Sequence, residues 1–220
     1  MASLRHFASC IGLSRNFSVL NDFYGYITGP PKALSLLRQI RLLKGKHIHF
    51  NLIIVGLESF DDIDQAEIDN AVDATRDFYV QVDLGVGRVK RFIITTAQAN
   101  GRDNIDNDSE AEDLTQEWTI DNDALDVFFV LTYAGLTTGR SAVLGGCDKD
   151  SKGMSGSVVA IDSPKRTTGF TLAHEVAHYL GVDHTEDEDN LMFFKVPNGG
   201  TLSDAQGFFM RQHCFVKAGC

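Results

Sequence analysis

The chain has 220 residues, of which 43% are hydrophobic, and this is enough for one domain with a sizeable core. Its formal net charge of -10 argues against nucleic acid or an anionic membrane as a partner. No apolar run approaches the ~18 residues that a membrane-spanning helix needs.

The N-terminal part differs in composition from the remainder of the chain. We expect residues 1–46 to be an N-terminal extension, a candidate pro- or targeting segment, and residues 47–220 to form the domain. The beginning carries Arg5 and Arg15 and no acid before Asp22, so it is a poor secretory signal and is nearer in composition to a transit peptide. Residues 31–44 predict a basic amphipathic helix, which could pack onto the domain or contact a membrane.

Beyond residue 46, predicted strands and helices follow one another along the chain. The strands are residues 47–55, 86–95, 124–133, 141–145 and 156–161, and the helices are residues 64–80, 168–180 and 203–213. The third strand is almost entirely apolar, as expected of a central strand covered on both faces. The fourth could be a short edge strand, with a surface loop as the alternative. This order predicts a mixed sheet with helices packed on it.

An acidic stretch occupies residues 103–126 and contains no Lys or Arg. Four of its acids match positions 1, 3, 5 and 12 of a calcium-binding EF-hand loop: Asp106, Asp108, Glu110 and Glu117. Ala111 stands where that loop needs glycine. We therefore expect a solvated acidic loop, with a Ca²⁺ site of another design as the alternative.

The most specific pattern is the run HEVAHYLGVDH at residues 174–184. His174 and His178 are four residues apart, so a helix would place both imidazoles on one face. Gly181 permits the left-handed backbone that ends a helix, and the chain can then bring His184 back to the same point. Three histidines would hold one zinc ion and leave one position open, as in catalytic rather than structural zinc sites.

Glu175 lies about 100° around the helix from the first histidine, near the metal without being a ligand. This placement suits a general base that takes a proton from water and later gives it to a leaving amine. The alternatives are a degenerate, zinc-free relative and a helix whose histidines merely face solvent or the core. Every position that the chemistry needs is filled, which favours catalysis.

With these residues, the chain resembles the metzincin clan of zinc endopeptidases, whose motif is HExxHxxGxxH followed by a Met-turn. Residues 190–193 resemble that turn, and Met192 would be the methionine beneath the histidines, with an ordinary core methionine as the alternative. The resemblance covers roughly residues 47–220. It implies an α/β (α+β) fold with a mixed twisted five-stranded sheet, a backing helix, an active-site helix and a small irregular C-terminal subdomain that ends in a helix.

Within the clan, the segment GGCD at residues 145–148 and a cysteine near the last predicted helix look most like the adamalysin or reprolysin branch. At two positions, the residue of this chain differs from the residue that is typical of a metzincin branch. Thr185 stands where adamalysins have Asp, and Phe194 stands where astacins and serralysins have a zinc-binding Tyr. The family within the clan therefore stays open.

The resemblance also implies a disulfide and a wall of the substrate pocket. Cys147 should bridge to Cys214, which leaves Cys10 and Cys220 for each other or free, while four buried thiols in a cytosolic protein are the alternative. In metzincins the residues after the Met-turn build the pocket past the scissile bond, so Phe193 and Phe194 predict a preference for an apolar side chain there.

An exposed strand edge can pair with an extended peptide, so we expect the substrate backbone to bind along the predicted edge strand. Its residues are Ser141, Ala142, Val143, Leu144 and Gly145.

The sequence thus predicts a monomeric zinc endopeptidase with one catalytic Zn²⁺, a protein or peptide substrate, and no nucleic acid partner. Family resemblance implies a secreted or extracellular protein, and residues 1–30 hold no clear signal peptide. The alternative is a catalytically silent binding or toxin-like module that keeps the zinc scaffold.

Overall fold

A mostly parallel sheet forms the centre of the computed structural model, which describes residues 45–161, 167–197 and 199–219. Its strand order is β2-β1-β4-β7-β6, and neighbours are parallel except β6, which runs antiparallel to β7. The strands of the described residues are β1 (Lys46–Val55), β2 (Leu84–Ile94), β3 (Asn104–Ile105), β4 (Leu125–Val130), β5 (Thr132–Tyr133), β6 (Gly139–Arg140), β7 (Gly156–Ala160) and β8 (Lys217–Ala218). The expected α/β architecture with a mixed sheet is confirmed.

The helices are α1 (Asp62–Tyr79), α2 (Thr96–Ala99), α3 (Asp108–Glu117), α4 (Thr168–Tyr179) and α5 (Asp204–Met210). Helix α1 begins where the Asp61 carboxylate accepts hydrogen bonds from the N–H groups of Ile63 and Asp64. Ser203 caps α5 in the same way, as its sequence position predicted.

Helices α1 and α4 pack against each other on one face of the sheet. Their approach is close at Gly169, where a Cβ atom would lie 2.7 Å from Cβ of Ala74. The hydroxyl of Tyr79 donates a hydrogen bond of 2.7 Å to the carbonyl of Ala173. The backing helix is thereby tied directly to the helix that carries the histidine motif.

Strand β4 is covered on both faces, as its apolar sequence predicted. Leu125, Val127 and Phe129 belong to the core with α1 and α4. Phe128 and Val130 belong to a second core, which α3 covers. All six residues of the strand are buried, so the sheet has a helix layer on each side.

The acidic stretch was predicted as a loop, and this prediction is wrong for residues 108–117, which form α3. Asn107 caps the helix, and acids in its first turn interact favourably with the helix dipole. Ala111 is buried in the second core.

Three of the four acids that match the calcium-binding loop have protein partners instead. Glu110 accepts a hydrogen bond of 2.7 Å from the N–H of Asp106. Asp108 pairs with Arg140 at 3.1 Å, and Glu117 pairs with Arg102 at 2.6 Å. These contacts give the Ca²⁺ alternative no support.

Two further predictions need correction. The edge strand is Gly139–Arg140 rather than residues 141–145, because the N–H groups of Leu144 and Gly145 donate to the C-terminal carbonyls of α4 at 3.0 and 2.8 Å. The described part of the C-terminal subdomain also continues past its helix, since β8 follows α5 and pairs antiparallel with the start of β1. The sheet thus has six strands rather than the expected five.

Within the described ranges, no helix has the length and apolar character to cross a membrane. The predicted amphipathic helix at residues 31–44, together with Cys10 and Cys220, lies outside the residues that the structure describes.

Candidate active site

Helix α4 and the turn after it bring the three motif histidines together. His174 and His178 lie on one buried face of α4. Gly181 has a φ of 96°, and its N–H donates a hydrogen bond of 2.8 Å to the carbonyl of His178. The N–H of Val182 donates a hydrogen bond of 3.0 Å to the carbonyl of Ala177. This left-handed turn returns the chain to His184, as the sequence predicted.

The Nε2 atoms of the three histidines converge on one point. Nε2 of His184 lies 3.2 Å from Nε2 of His174 and 3.0 Å from Nε2 of His178. Ligand nitrogens of a tetrahedral zinc ion, at bond lengths of ~2.0–2.1 Å, lie about 3.3 Å apart. The spacing therefore fits one zinc ion.

Main-chain carbonyls orient two of the imidazoles. Nδ1 of His174 lies 2.8 Å from the carbonyl oxygen of Leu191, and Nδ1 of His178 lies 2.7 Å from that of Val182. A carbonyl only accepts, so Nδ1 carries the proton and Nε2 keeps a lone pair. Lone pairs that face one another at this distance repel unless a cation lies between them, which again fits a metal ion.

Burial also keeps these histidines neutral. Burial, and then the nearby imidazole of His174, lower the pKa of His178 to about 4. Burial lowers the pKa of His174 as well, against the hydrogen bond to Leu191. Neutral imidazole is the form that ligates metal, so both histidines are in the state that metal binding requires at neutral pH.

Glu175 is buried next to the histidines, and burial raises the pKa of its carboxyl to about 8, while the charge of Arg140 acts in the opposite direction. A cation held by the histidines would favour the carboxylate. A carboxyl whose pKa lies near neutrality is suited to accept and return a proton.

Met192 is fully buried in the turn that follows His184. The side-chain oxygen of Asn190 accepts a hydrogen bond of 2.9 Å from the N–H of Met192, and the N–H of Thr185 donates to the carbonyl of Met192 at 3.0 Å. Because Leu191 supplies the carbonyl that orients His174, the turn also fixes the position of that imidazole.

The side-chain amides of Asn190 and Gln206 exchange two hydrogen bonds of 3.0 Å and so tie the turn to α5. Sequence reasoning missed this pair. The spacing of Ser203 and Gln206 shows a capping box, in which Gln206 accepts from the N–H of Ser203, but no pattern links it to Asn190.

The predicted substrate segment runs beside the C-terminal end of α4. The side chains of Val143 and Leu144 are exposed, and Gly145 lies against the ring of Tyr179. Ser141 and Ala142 are half-buried, and the Ser141 hydroxyl lies 2.9 Å from that of Ser157 on β7.

The two aromatic residues after Met192 are in ring contact, with centroids 4.5 Å apart. Phe193 is buried and Phe194 is exposed. Their role in binding a substrate stays a prediction, as does that of residues 141–145.

Cys147 and Cys214 form a disulfide, as the resemblance implied. It joins the segment before β7 to the segment after α5. Next to it, Nε2 of His213 lies 3.0 Å from the carbonyl oxygen of Gly145. The imidazole therefore donates a hydrogen bond to the segment that runs beside the C-terminal end of α4.

Two solved structures are similar to this chain. Metalloproteinase-II from Bacteroides fragilis has a TM-score of 0.56 at 19% identity, over 78% of this chain and 54% of that one, so this chain spans about half its length. Archaemetzincin from Methanopyrus kandleri has a TM-score of 0.50 at 15% identity, over 75% of this chain and 95% of that one. At these low sequence identities, the structural similarity shows the fold alone.

A comparison with curated proteins gives no significant match. A reprolysin-type sequence model, described as metallo-peptidase family M12, matches residues 57–214, which include the three histidines, Glu175 and both bridged cysteines. This match covers most of the chain, and the chain belongs to metallopeptidase family M12.

Proposed function

We propose that the chain is a zinc-dependent endopeptidase in which His174, His178 and His184 hold the metal and Glu175 is the general base and acid. The observation that carries the proposal is the convergence of three Nε2 atoms beside a buried carboxyl group. A structural zinc site would use a fourth protein ligand. Among the described residues, only the three histidines form the possible metal-binding group at this position.

Zinc in such a site polarises the scissile carbonyl and makes water acidic enough to serve as a nucleophile at neutral pH. Glu175 takes the proton from that water and transfers it to the nitrogen of the leaving amine. Its burial excludes competing water from the carboxylate and strengthens its interactions with nearby charges. The carbonyls of Leu191 and Val182 hold the imidazoles in the tautomer that this chemistry requires.

The substrate backbone binds along β6 and the segment that follows it, where the sheet ends in an exposed edge. An apolar side chain of the substrate packs against Phe193 and Phe194. The side chains of Val143 and Leu144 in that segment are exposed and so are free to contact the substrate. The Cys147–Cys214 disulfide supports a secreted or extracellular protein, because such bonds persist in oxidising compartments.

The test uses the purified protein loaded with one equivalent of zinc and denatured casein as substrate. We expect internal cleavage products by mass spectrometry, loss of cleavage with a chelator, and recovery when zinc is added. Glu175→Ala should keep its zinc and its melting temperature while its cleavage rate falls about 10²–10⁴-fold. Absence of cleavage by fully zinc-loaded wild-type protein would favour the silent binding module, and equal rates for both proteins would exclude Glu175.

A further inference from the structure

Strand β6 meets helix α4 at Gly139, the first residue of the strand. A Cβ atom built on Gly139 would lie 2.7 Å from Cγ of Glu175, 3.0 Å from its Oε1 and 2.8 Å from Cγ2 of Thr171. Thr171 and Glu175 are four residues apart on α4, so they project from one helix face. The backbone of Gly139 therefore lies directly against the side chain of Glu175.

Neighbouring contacts fix both elements at this point. The hydroxyl of Thr171 lies 3.3 Å from that of Thr138. The hydroxyl of Ser157, on the strand next to β6, donates to the main-chain carbonyl of Glu175 at 3.4 Å. Gly139 itself pairs with Val159 of β7. Since the strand and the helix are both held, the side chain of Glu175 has little room on the side of the strand.

We propose that Gly139 is a positioning residue for Glu175: the missing side chain leaves the space in which the carboxylate reaches the water above the histidines. This inference rests on the proposed function, because it concerns the same carboxylate. It adds that the strand edge on which a substrate would pair also sets the position of the general base. Glycine is required here for space, since its φ is not in the left-handed region.

A methyl group at residue 139 meets two side chains and no backbone among its nearest atoms. The side chains of Glu175 and Thr171 both have to turn away from it, while the backbone can stay in place. The fold therefore tolerates the change, and the carboxylate is displaced. Gly139→Ala should therefore lower kcat by between about 10- and 100-fold, because small displacements of a catalytic group have effects of this size. KM and zinc content should stay close to wild type.

Gly87→Ala is the matched control. Gly87 also lies in a strand, and a Cβ there would be 2.7 Å from Nδ1 of His49. Its strand β2 forms the edge of the sheet opposite β6, far from Glu175. Gly87→Ala should thus show the general effect of crowding a strand glycine, with kcat unchanged.

Assays with a fluorogenic casein-derived peptide give kcat and KM for the zinc-loaded proteins. A fluorescence anisotropy titration of the same peptide then compares Glu175→Ala with the double variant Gly139→Ala/Glu175→Ala. Equal affinities are expected, because Gly139 acts through Glu175. A tenfold weaker affinity of the double variant, or a wild-type kcat for Gly139→Ala, would overturn the inference. A Glu175→Ala protein that cleaves at the wild-type rate would instead contradict the proposed function.

Discussion

Two buried polar centres of this molecule are held in different ways. At the histidine site, two imidazoles bond to the main-chain carbonyls of Val182 and Leu191. At the other centre, the fully buried carboxylate of Asp126 on β4 is held largely by side chains. Its oxygens accept hydrogen bonds from the side chains of Asn51, Thr119 and Lys149 and from the N–H of Ile120, at 2.6 to 2.9 Å.

Because the two centres are held differently, we expect substitutions at the histidine site to affect function and substitutions at the Asp126 centre to affect stability. Main-chain carbonyls stay in place when a histidine is replaced, so the first centre can lose its metal while the fold persists. The second centre contains an ion pair between Asp126 and the buried Lys149. Removing one partner leaves the other charge buried without compensation, which strongly disfavours the folded state.

The largest expected effect is at the histidine site. His178→Ala removes one of the three proposed zinc ligands, so zinc should be lost and peptide cleavage should fall to background. Metal analysis after gel filtration gives the stoichiometry. Added zinc should raise the melting temperature of the chelated wild-type protein and leave that of the variant unchanged, because a ligand stabilises only the state that binds it. Full zinc occupancy in the variant would contradict the assignment.

The next effect concerns the buried ion pair. Asp126→Ala should lower the free energy of unfolding by about 3–5 kcal/mol, because Lys149 is left unpaired. Asp126→Ala/Lys149→Met should recover part of that loss, since no charge then remains. Urea unfolding of the chelated proteins measures both.

Asp69→Ala is the control for this comparison, because Asp69 pairs with Arg91 at the surface and such pairs contribute about 0–1 kcal/mol. If Asp126→Ala unfolds at the same urea concentration as Asp69→Ala, the contrast between the two centres is wrong.

The two centres also differ in how much the sequence reveals. The ligands of the histidine site lie within residues 174–184, so helix periodicity and one glycine predict their convergence. The Asp126 centre joins residues 75 and 23 positions apart, and nothing in their local spacing indicates a contact. Sequence reasoning therefore found the three histidines and missed Asn51, Asp126 and Lys149 as a group.

The strands and helices, too, could be predicted only where the local sequence pattern is distinct. Long apolar strands such as β1 and β4 were predicted to within a few residues, because burial on both faces determines their composition. Helix α3 was missed because it buries only Ala111, Leu114 and Thr115, a narrow face among many acids. The edge strand was misplaced because its two residues carry no periodicity, and the amides after it bond to α4 instead.

A third prediction extends the comparison to a buried histidine outside the metal site. Burial, and then the charge of Arg88, lower the pKa of His49 to about 4, and Nδ1 of His49 accepts a hydrogen bond of 3.0 Å from the N–H of Arg88. An unfolded histidine takes up its proton near pH 6.5. As the pH falls from about 6.5 to 4, protonation therefore favours the unfolded state.

His49 should thus contribute a loss of stability of about 3 kcal/mol at most between pH 6.5 and pH 4. Urea unfolding of chelated wild-type protein and His49→Asn, at several pH values, isolates this contribution as the difference between the two curves. Parallel curves over this range would show that His49 does not titrate differently on folding.

The smallest effect is expected where the metal site does depend on side chains, at the Asn190–Gln206 pair. Asn190→Ala removes the acceptor of the Met192 N–H and releases the turn from α5, so the carbonyl that orients His174 becomes less fixed. Loss of such support typically weakens metal binding by 10–100-fold, and we expect about tenfold in a zinc competition assay with a chromophoric chelator. Gln206→Ala keeps the bond from Met192 to Asn190 and should weaken zinc binding less. If both variants bind zinc as tightly as the wild type, the carbonyls alone determine the ligand geometry, and the contrast with the Asp126 centre becomes sharper still.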